Sequence, residues 1–234
     1  MREPLSKQEL AALAKLDTPT VCNAIEGLAT SRQGFGYTSQ PLVCPRPELG
    51  SMVGYAVTAT IRAMHPSDLS PSRQAALNRR YYTHVASGSR PGIAVIEDLD
   101  VSPGYGAWWG EVHTAVHKGL GCVGTITNGS IRDIPLCAPG FHMLAGMVGP
   151  SHAFVHAVDC AVTVTVAGMT VSPGDLIHAD AHGAVVIPHG IARDVVAMSD
   201  RQAASEAVIL KAARAKGFTA AKLFAAMAKA EQLH

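Results

Sequence analysis

The apolar positions change period along the chain, and each change marks a different element. Ser6 to Glu9 forms an S-x-x-E capping box, and apolar residues then recur at helical spacing to about Leu16. Asp17 or Thr18 caps a second helix, with Pro19 in its first turn and Gly27 near its end. Residues 31–50 are rich in Gly, Pro and Ser and read as loop. From Met52 to Ile61 the pattern is alternating and β-branched, as in a strand. Ser70-Pro71 opens a helix that runs to about Ser87. Ile93 to Ile96 is the short apolar run of a buried strand, ending at Glu97, Asp98 and Asp100. A helix from about Trp109 to Lys118 follows, then a strand from Cys122 to Thr127 that ends at Asn128-Gly129.

This middle stretch reads β-α-β-α-β, the grammar of a parallel sheet covered by helices. Short strands are then expected near 141–145, 153–156, 161–167, 176–178 and 184–187, separated by turns such as Ser172-Pro173-Gly174-Asp175. Two helices, about 190–215 and 219–231, close the chain. The expectation is one α/β domain over residues 1–234, with N-terminal helices about 6–28, a core about 50–190 and C-terminal helices about 190–232. Its second half is partly antiparallel.

Composition narrows the function classes. Hydrophobic residues make up 48% and charged residues 16%, which excludes a disordered chain. Nineteen basic against eighteen acidic residues leave a net charge of +1, too little to hold nucleic acid or an anionic membrane surface. The longest stretch without a charge, Ile134 to Val158, is broken by prolines, glycines and histidines and does not read as a membrane span. Five scattered cysteines with no CxxC point away from a disulfide framework or zinc knuckle. With an N-terminus, MREPLSKQEL, that lacks the apolar core of a leader, a cytoplasmic protein is expected.

Several motifs are decoys. Gly119 to Gly124 matches GxGxxG, but it closes a helix and enters a strand, the reverse of a dinucleotide loop. His113 and His117 have the i, i+4 spacing of zinc ligands, yet Thr114 stands where a zincin needs Glu, so a surface or interface pair is expected. Trp108-Trp109 reads as a packing pair beside a loop and Arg79-Arg80 as a solvated helix face.

Two segments carry chemistry. In Trp109-Gly110-Glu111-Val112-His113 a loop turns into a helix, where free N–H groups attract a carboxylate or oxyanion. Asn128-Gly129-Ser130-Ile131-Arg132-Asp133 directly follows a strand, and ligands of parallel sheets collect beyond strand ends. Arg132 can fork onto a carboxylate or keto oxygen, and Asp133 offers hard oxygen to a divalent cation.

Gly110-Glu111, twenty-one residues ahead of Arg132, together with Asn128-Gly-Ser-Ile-Arg132-Asp133, resembles the central pattern of the RraA-like proteins. That family includes the class II 4-hydroxy-4-methyl-2-oxoglutarate (HMG) and 4-carboxy-4-hydroxy-2-oxoadipate (CHA) aldolases. Leu16-Asp-Thr-Pro-Thr-Val-Cys-Asn-Ala, Met52-Val-Gly-Tyr-Ala-Val-Thr-Ala and the segment Val171 to Pro188 are similar to further family segments. The resemblance implies a three-layer α/β/α sandwich of the swivelling-domain type with a mixed sheet, assembled as a homotrimer or homohexamer. It implies a metal-dependent lyase that cleaves a 4-hydroxy-2-oxo acid to pyruvate and decarboxylates oxaloacetate through an enolate. Mg²⁺ or Mn²⁺ would bind Asp133 directly, with Glu111 and a neighbouring subunit's Glu206 acting through water. Arg132, Gly110, the N–H groups of Val112 and His113, and Asn78 would hold the 2-oxo acid. The alternative within the family is a non-catalytic regulator that binds a ribonuclease or another protein.

Three departures stand out, one of them Asn23 in place of another common Asp of the family. Asn128 replaces the family's usual Asp, either as a turn former or with a change in the metal's surroundings. The loop from Asp98 to Trp109, with Tyr105 and two tryptophans, is unusually aromatic and implies a larger or more apolar substrate than HMG.

Overall fold

The computed structural model describes residues 4–232; the first three residues of the N-terminal stretch lie outside it. In chain order the elements are α1 (Lys7–Leu13), α2 (Thr18–Leu28), β1 (Met52–Arg62), α3 (Pro71–Ser87), β2 (Gly92–Asp98), β3 (Ala107–Trp109), α4 (Glu111–Gly119), β4 (Cys122–Thr127), β5 (Ser130–Ile131), β6 (His142–Leu144), β7 (Met147–Val148), β8 (His156–Cys160), β9 (Val164–Val166), β10 (Met169–Val171), β11 (Leu176–Asp180), β12 (Gly183–Ile187), α5 (Val195–Ala213) and α6 (Ala220–Glu231). The capping box forms as expected: the Ser6 hydroxyl accepts from Glu9 N–H while Ser6 N–H donates to the Glu9 carboxylate. Asp17 caps α2 by accepting from Thr20 N–H. The GxGxxG stretch closes α4 and enters β4, with Gly121 in the left-handed turn between them.

The main sheet runs β12-β11-β1-β2-β4-β6. Strands β1, β2 and β4 are parallel neighbours, as the β-α-β-α-β pattern predicts; β6 adds a further parallel strand beyond β4, and β11 and β12 add antiparallel strands. The eleven-residue β1 takes two antiparallel partners on one edge, β11 at Met52–Tyr55 and β8 at Ala59–Arg62. This α/β class with a mixed sheet matches the sequence reading. On one face Val57, Ala59 and Ile61 of β1 meet Tyr81 and Val85 of α3 and the Trp108–Trp109 pair. Farther along, Val53 and Tyr55 meet Leu13, Val21, Ile25 and Val195 from α1, α2 and α5. On the other face Met52, Ala56, Ile93 and Val95 meet Val164, Val166, Met169 and Val171, so the β9–β10 hairpin forms that layer.

Two late elements differ from the sequence expectation. The strand expected near 153–156 lies at His156–Cys160, after a turn in which Ala153 has φ 44°. The run 161–167 is trimmed to β9 because Ala161 (φ 60°) and Ala167 (φ 49°) bend the chain at both ends, and β10 follows. Among the described residues no helix is long and apolar enough to cross a membrane.

A second, three-stranded parallel sheet, β3-β5-β7, sits beyond the carboxyl end of β4 and was not anticipated. Its strands are two or three residues long, too short to show a period. It brings the end of β3 beside the end of β5, and Arg132 N–H donates to the Trp109 carbonyl at 2.9 Å. The two chemistry-bearing segments thereby become neighbours.

Candidate functional site

Gly110 occupies the cap position of α4 and has no side chain to offer, so the first-turn N–H groups of the helix receive no capping oxygen from it. That leaves the helix start, with its partial positive charge, open to an acceptor. Gly110 serves a second purpose. A β-carbon there would stand 2.7 Å from Asp133 Oδ2 and 3.4 Å from Arg132 Cγ. Its φ of −165° is open to any residue, so the requirement is space alone.

Asp133 sits in the left-handed region at φ 53°, ψ 31° and opens a 3₁₀ turn at Ile134–Leu136, its carbonyl accepting from Leu136 and Cys137 N–H. Asp tolerates this conformation at lower cost than a bulky side chain. Arg132 Nε and Asp133 Oδ2 are 3.4 Å apart, with the two side chains 35% and 37% exposed. The pair is wet, not sealed in a dry ion pair. It opens into a cavity of about 380 Å³ lined also by Gly110, Glu111, Val112 and His113. A second cavity of about 440 Å³ lies on the pair's other side, against Pro135, Val148 and Pro150.

His113 and His117 depart from the expected surface pair: both rings belong to an aromatic cluster. His113 meets Trp108 edge-on with ring centres 4.5 Å apart, and His117 meets Trp109 at 4.6 Å. The Tyr81 hydroxyl is 2.6 Å from His117 Nε2, and His117 Nδ1 is 2.6 Å from the His113 carbonyl. A carbonyl only accepts, so Nδ1 carries the proton and Nε2 accepts from the tyrosine. Burial holds both imidazoles down to about 4, and the Arg132 charge pushes His113 in the same direction. Both nitrogens of His117 are committed to protein partners, which leaves none for a zinc ion.

Asn128 answers the question raised by its replacement of Asp. Its Oδ1 accepts from Asp98 N–H at 2.8 Å and its Nδ2 donates to the Asp98 carbonyl at 3.0 Å. A carboxylate could make the first bond and not the second. Asn128 lines a different cavity, with Pro103 and Gly146, and its side chain fixes the turn after β4. Asn78 accepts from Gln74 Nε2 on α3 and is not among the residues lining the Arg132–Asp133 cavity. Glu206 lies on α5 and lines a cavity with Asn23, Glu26 and Gln202, apart from Asp133 within this chain.

Among the described residues no three His, Cys, Asp or Glu side chains gather to hold a metal. This donor set fits Mg²⁺ or Mn²⁺ better than zinc: Mg²⁺ keeps several waters and takes one or two carboxylates plus substrate oxygens. Asp133, with Glu111 lining the same cavity, supplies that number, and the missing β-carbon of Gly110 leaves Asp133 Oδ2 clear of the helix start.

A family model described as RraA-like (Aldolase/RraA) matches residues 16–186. The structure of an uncharacterized protein from Pseudomonas syringae pv. tomato str. DC3000 superimposes with a TM-score of 0.71 at 21% identity, covering 100% of this chain and 97% of that one. RraAS2 of Streptomyces coelicolor, described as an unusual member of the RNase ES inhibitor RraA protein family, gives 0.66 at 21% identity over 88% of this chain and 98% of that one. At these identities the two structures establish the fold. Protein DlpA of Legionella pneumophila is 30% identical over 98 residues, a stretch covering 38% of this chain and 15% of DlpA. The family match spans both the Gly110 helix start and the Arg132–Asp133 turn, and the fold beneath them is shared: the chain belongs to the RraA-like family.

Proposed function

We propose that the chain is a divalent-metal-dependent carbon–carbon lyase that cleaves a 4-hydroxy-2-oxo acid to pyruvate and also decarboxylates oxaloacetate. The observation that carries this reading is the side-by-side placement of a guanidinium and a carboxylate, both half open, at a cavity that also receives an uncapped helix start. In a retro-aldol step the C4 hydroxyl gives its proton to water, the C3–C4 bond breaks and its electron pair moves onto the 2-oxo oxygen, giving a carbonyl product and a pyruvate enolate that takes a proton from water at C3 to become pyruvate. Arg132 faces the developing oxyanion, and the N–H groups of Val112 and His113 receive the substrate carboxylate. Asp133 and Glu111 would hold Mg²⁺ or Mn²⁺, which when bound supplies positive charge to the enolate oxygen. No lysine lines this cavity among the described residues, so the chain presents no Schiff-base nucleophile there.

Loss of CO₂ from oxaloacetate gives the same enolate, which makes oxaloacetate a convenient probe. Glu206 lines a different cavity from Asp133, and a part for it in this site would come from a neighbouring subunit of the proposed homotrimer or homohexamer. The Streptomyces relative is described as belonging to an RNase inhibitor family, and the same fold carries that role elsewhere. Here Glu111 and Asp133 beside Arg132 favour catalysis. The discriminating experiment measures pyruvate release with Mg²⁺ and with EDTA. Release that EDTA abolishes supports the lyase. No release with metal, together with metal-independent capture of a protein partner, supports the regulator.

A further inference from the structure

The cavity beside Arg132 and Asp133 has two chemically distinct ends. One end holds the guanidinium, the carboxylates of Asp133 and Glu111, and the start of α4. The other is walled by Trp108, Ala107 and Val155, with the His113 ring edge-on to Trp108. Trp108 is only 9% exposed, and Tyr81 braces it edge-to-face at 5.8 Å, so its ring is a fixed surface and not a mobile cover. Among the described residues lining the cavity, Arg132 is the one guanidinium or ammonium group. It already shares its charge with Asp133 at 3.4 Å. His152 stands exposed at the edge, with its Nδ1 turned back to the Ala153 carbonyl at 2.7 Å.

A substrate with a carboxylate at each end would therefore find a cation for one end and an aromatic wall for the other. Desolvating the second carboxylate there, with no guanidinium or ammonium beside it and only the buried Trp108 Nε1 and the imidazoles of His113 and His152 as polar partners, is unfavourable. An apolar group on the same carbon would lose water from both surfaces instead. Resting on the lyase reading above, we infer that the leaving half of the substrate is uncharged and apolar: a 4-hydroxy-2-oxo acid with an aryl or branched alkyl group at C4, which yields pyruvate and an apolar aldehyde or ketone. Trp108 is the residue that selects it.

Unreactive 2-oxo acids test the choice without turnover. Pyruvate, 2-oxoglutarate and 2-oxo-4-phenylbutanoate share the end that Arg132 holds and differ only in what reaches the wall. Their binding is read by quenching of the intrinsic fluorescence of the two tryptophans, Trp108 and Trp109, in the whole protein with Mg²⁺ present. The phenyl compound is expected to bind about ten-fold or more tighter than pyruvate, the usual gain from filling an apolar pocket, and 2-oxoglutarate no tighter than pyruvate. Trp108→Ala should bring the ratio of phenyl-compound to pyruvate affinity down to about one, while Trp108→Phe keeps most of it. Equal or tighter binding of 2-oxoglutarate by the unmodified protein overturns the inference, and that comparison needs no variant to fold. Pyruvate binding that Arg132→Ala does not weaken overturns the lyase reading itself and the inference with it.

Discussion

Gly110 and Asp133 approach so closely that a β-carbon on the glycine would meet Asp133 Oδ2 at 2.7 Å. The backbone of Gly110 is ordinary extended chain, so alanine can adopt its conformation, and the price of the substitution falls on the aspartate. Gly110→Ala should lower the unfolding free energy by about 1–3 kcal/mol, the usual cost of local overpacking. It should lower kcat/KM for pyruvate release by about 100-fold, as displacements near 1 Å do. Urea unfolding and steady-state kinetics on one preparation check both. A large loss of stability with little loss of activity would mean that the close approach serves the fold and not the site.

Asn128→Asp restores the family's usual residue and removes the Nδ2 donor from the Asp98 carbonyl. It also sets a second carboxylate near Asp98, whose own carboxyl burial already pushes up. The variant should lose about 1–3 kcal/mol of stability, the cost of an unsatisfied buried acceptor. Because Asn128 lines a separate cavity, Mg²⁺ and Mn²⁺ affinity should not change by calorimetric titration. A clear gain in metal affinity would place Asn128 in the metal's surroundings after all.

Acid sensitivity follows from the buried imidazoles. His113 and His117 are held at about 4 by burial, well below the ordinary histidine value. Between roughly pH 6.5 and pH 4 the unfolded chain binds protons at these positions that the folded chain refuses. Their contribution is fully present above that window and is lost as pH falls through it, each at no more than about 1.4 kcal/mol per pH unit. His117→Gln should flatten the slope of stability against pH between 7 and 5, measured by urea unfolding. Burial also holds His84, His142 and His178 low, so part of the slope remains.

Much of this was legible in the sequence, and the failures share a cause. Capping residues and hydrophobic period placed α1, α2, α3, β1 and β4 because those signals are local. The parallel order of β1, β2 and β4 follows from the helices between them. The β3-β5-β7 sheet, which joins Gly110 to Arg132, is built from runs too short to show a period. Its existence depends on contacts between residues some twenty positions apart. The histidine pair was misjudged for a similar reason: an i, i+4 spacing says which face two rings share, and only Tyr81, thirty-six residues before His117, shows that this face is inside. The family pattern points to Asn78, whose side-chain oxygen accepts from Gln74 within α3.

The most direct test replaces Asp133 by asparagine, which keeps the left-handed backbone and the size of the side chain while removing the charge. The quantity to measure is pyruvate release from oxaloacetate at saturating Mg²⁺, with the unfolding midpoint of the same sample as a control on the fold. If Asp133 anchors the ion beside Arg132, the rate should fall by about 100-fold or more with the midpoint nearly unchanged, because the positive charge that would stabilise the enolate oxygen is no longer held in place. An Asp133→Asn protein that turns over oxaloacetate at the parent's rate, with the parent's dependence on Mg²⁺, would contradict the account.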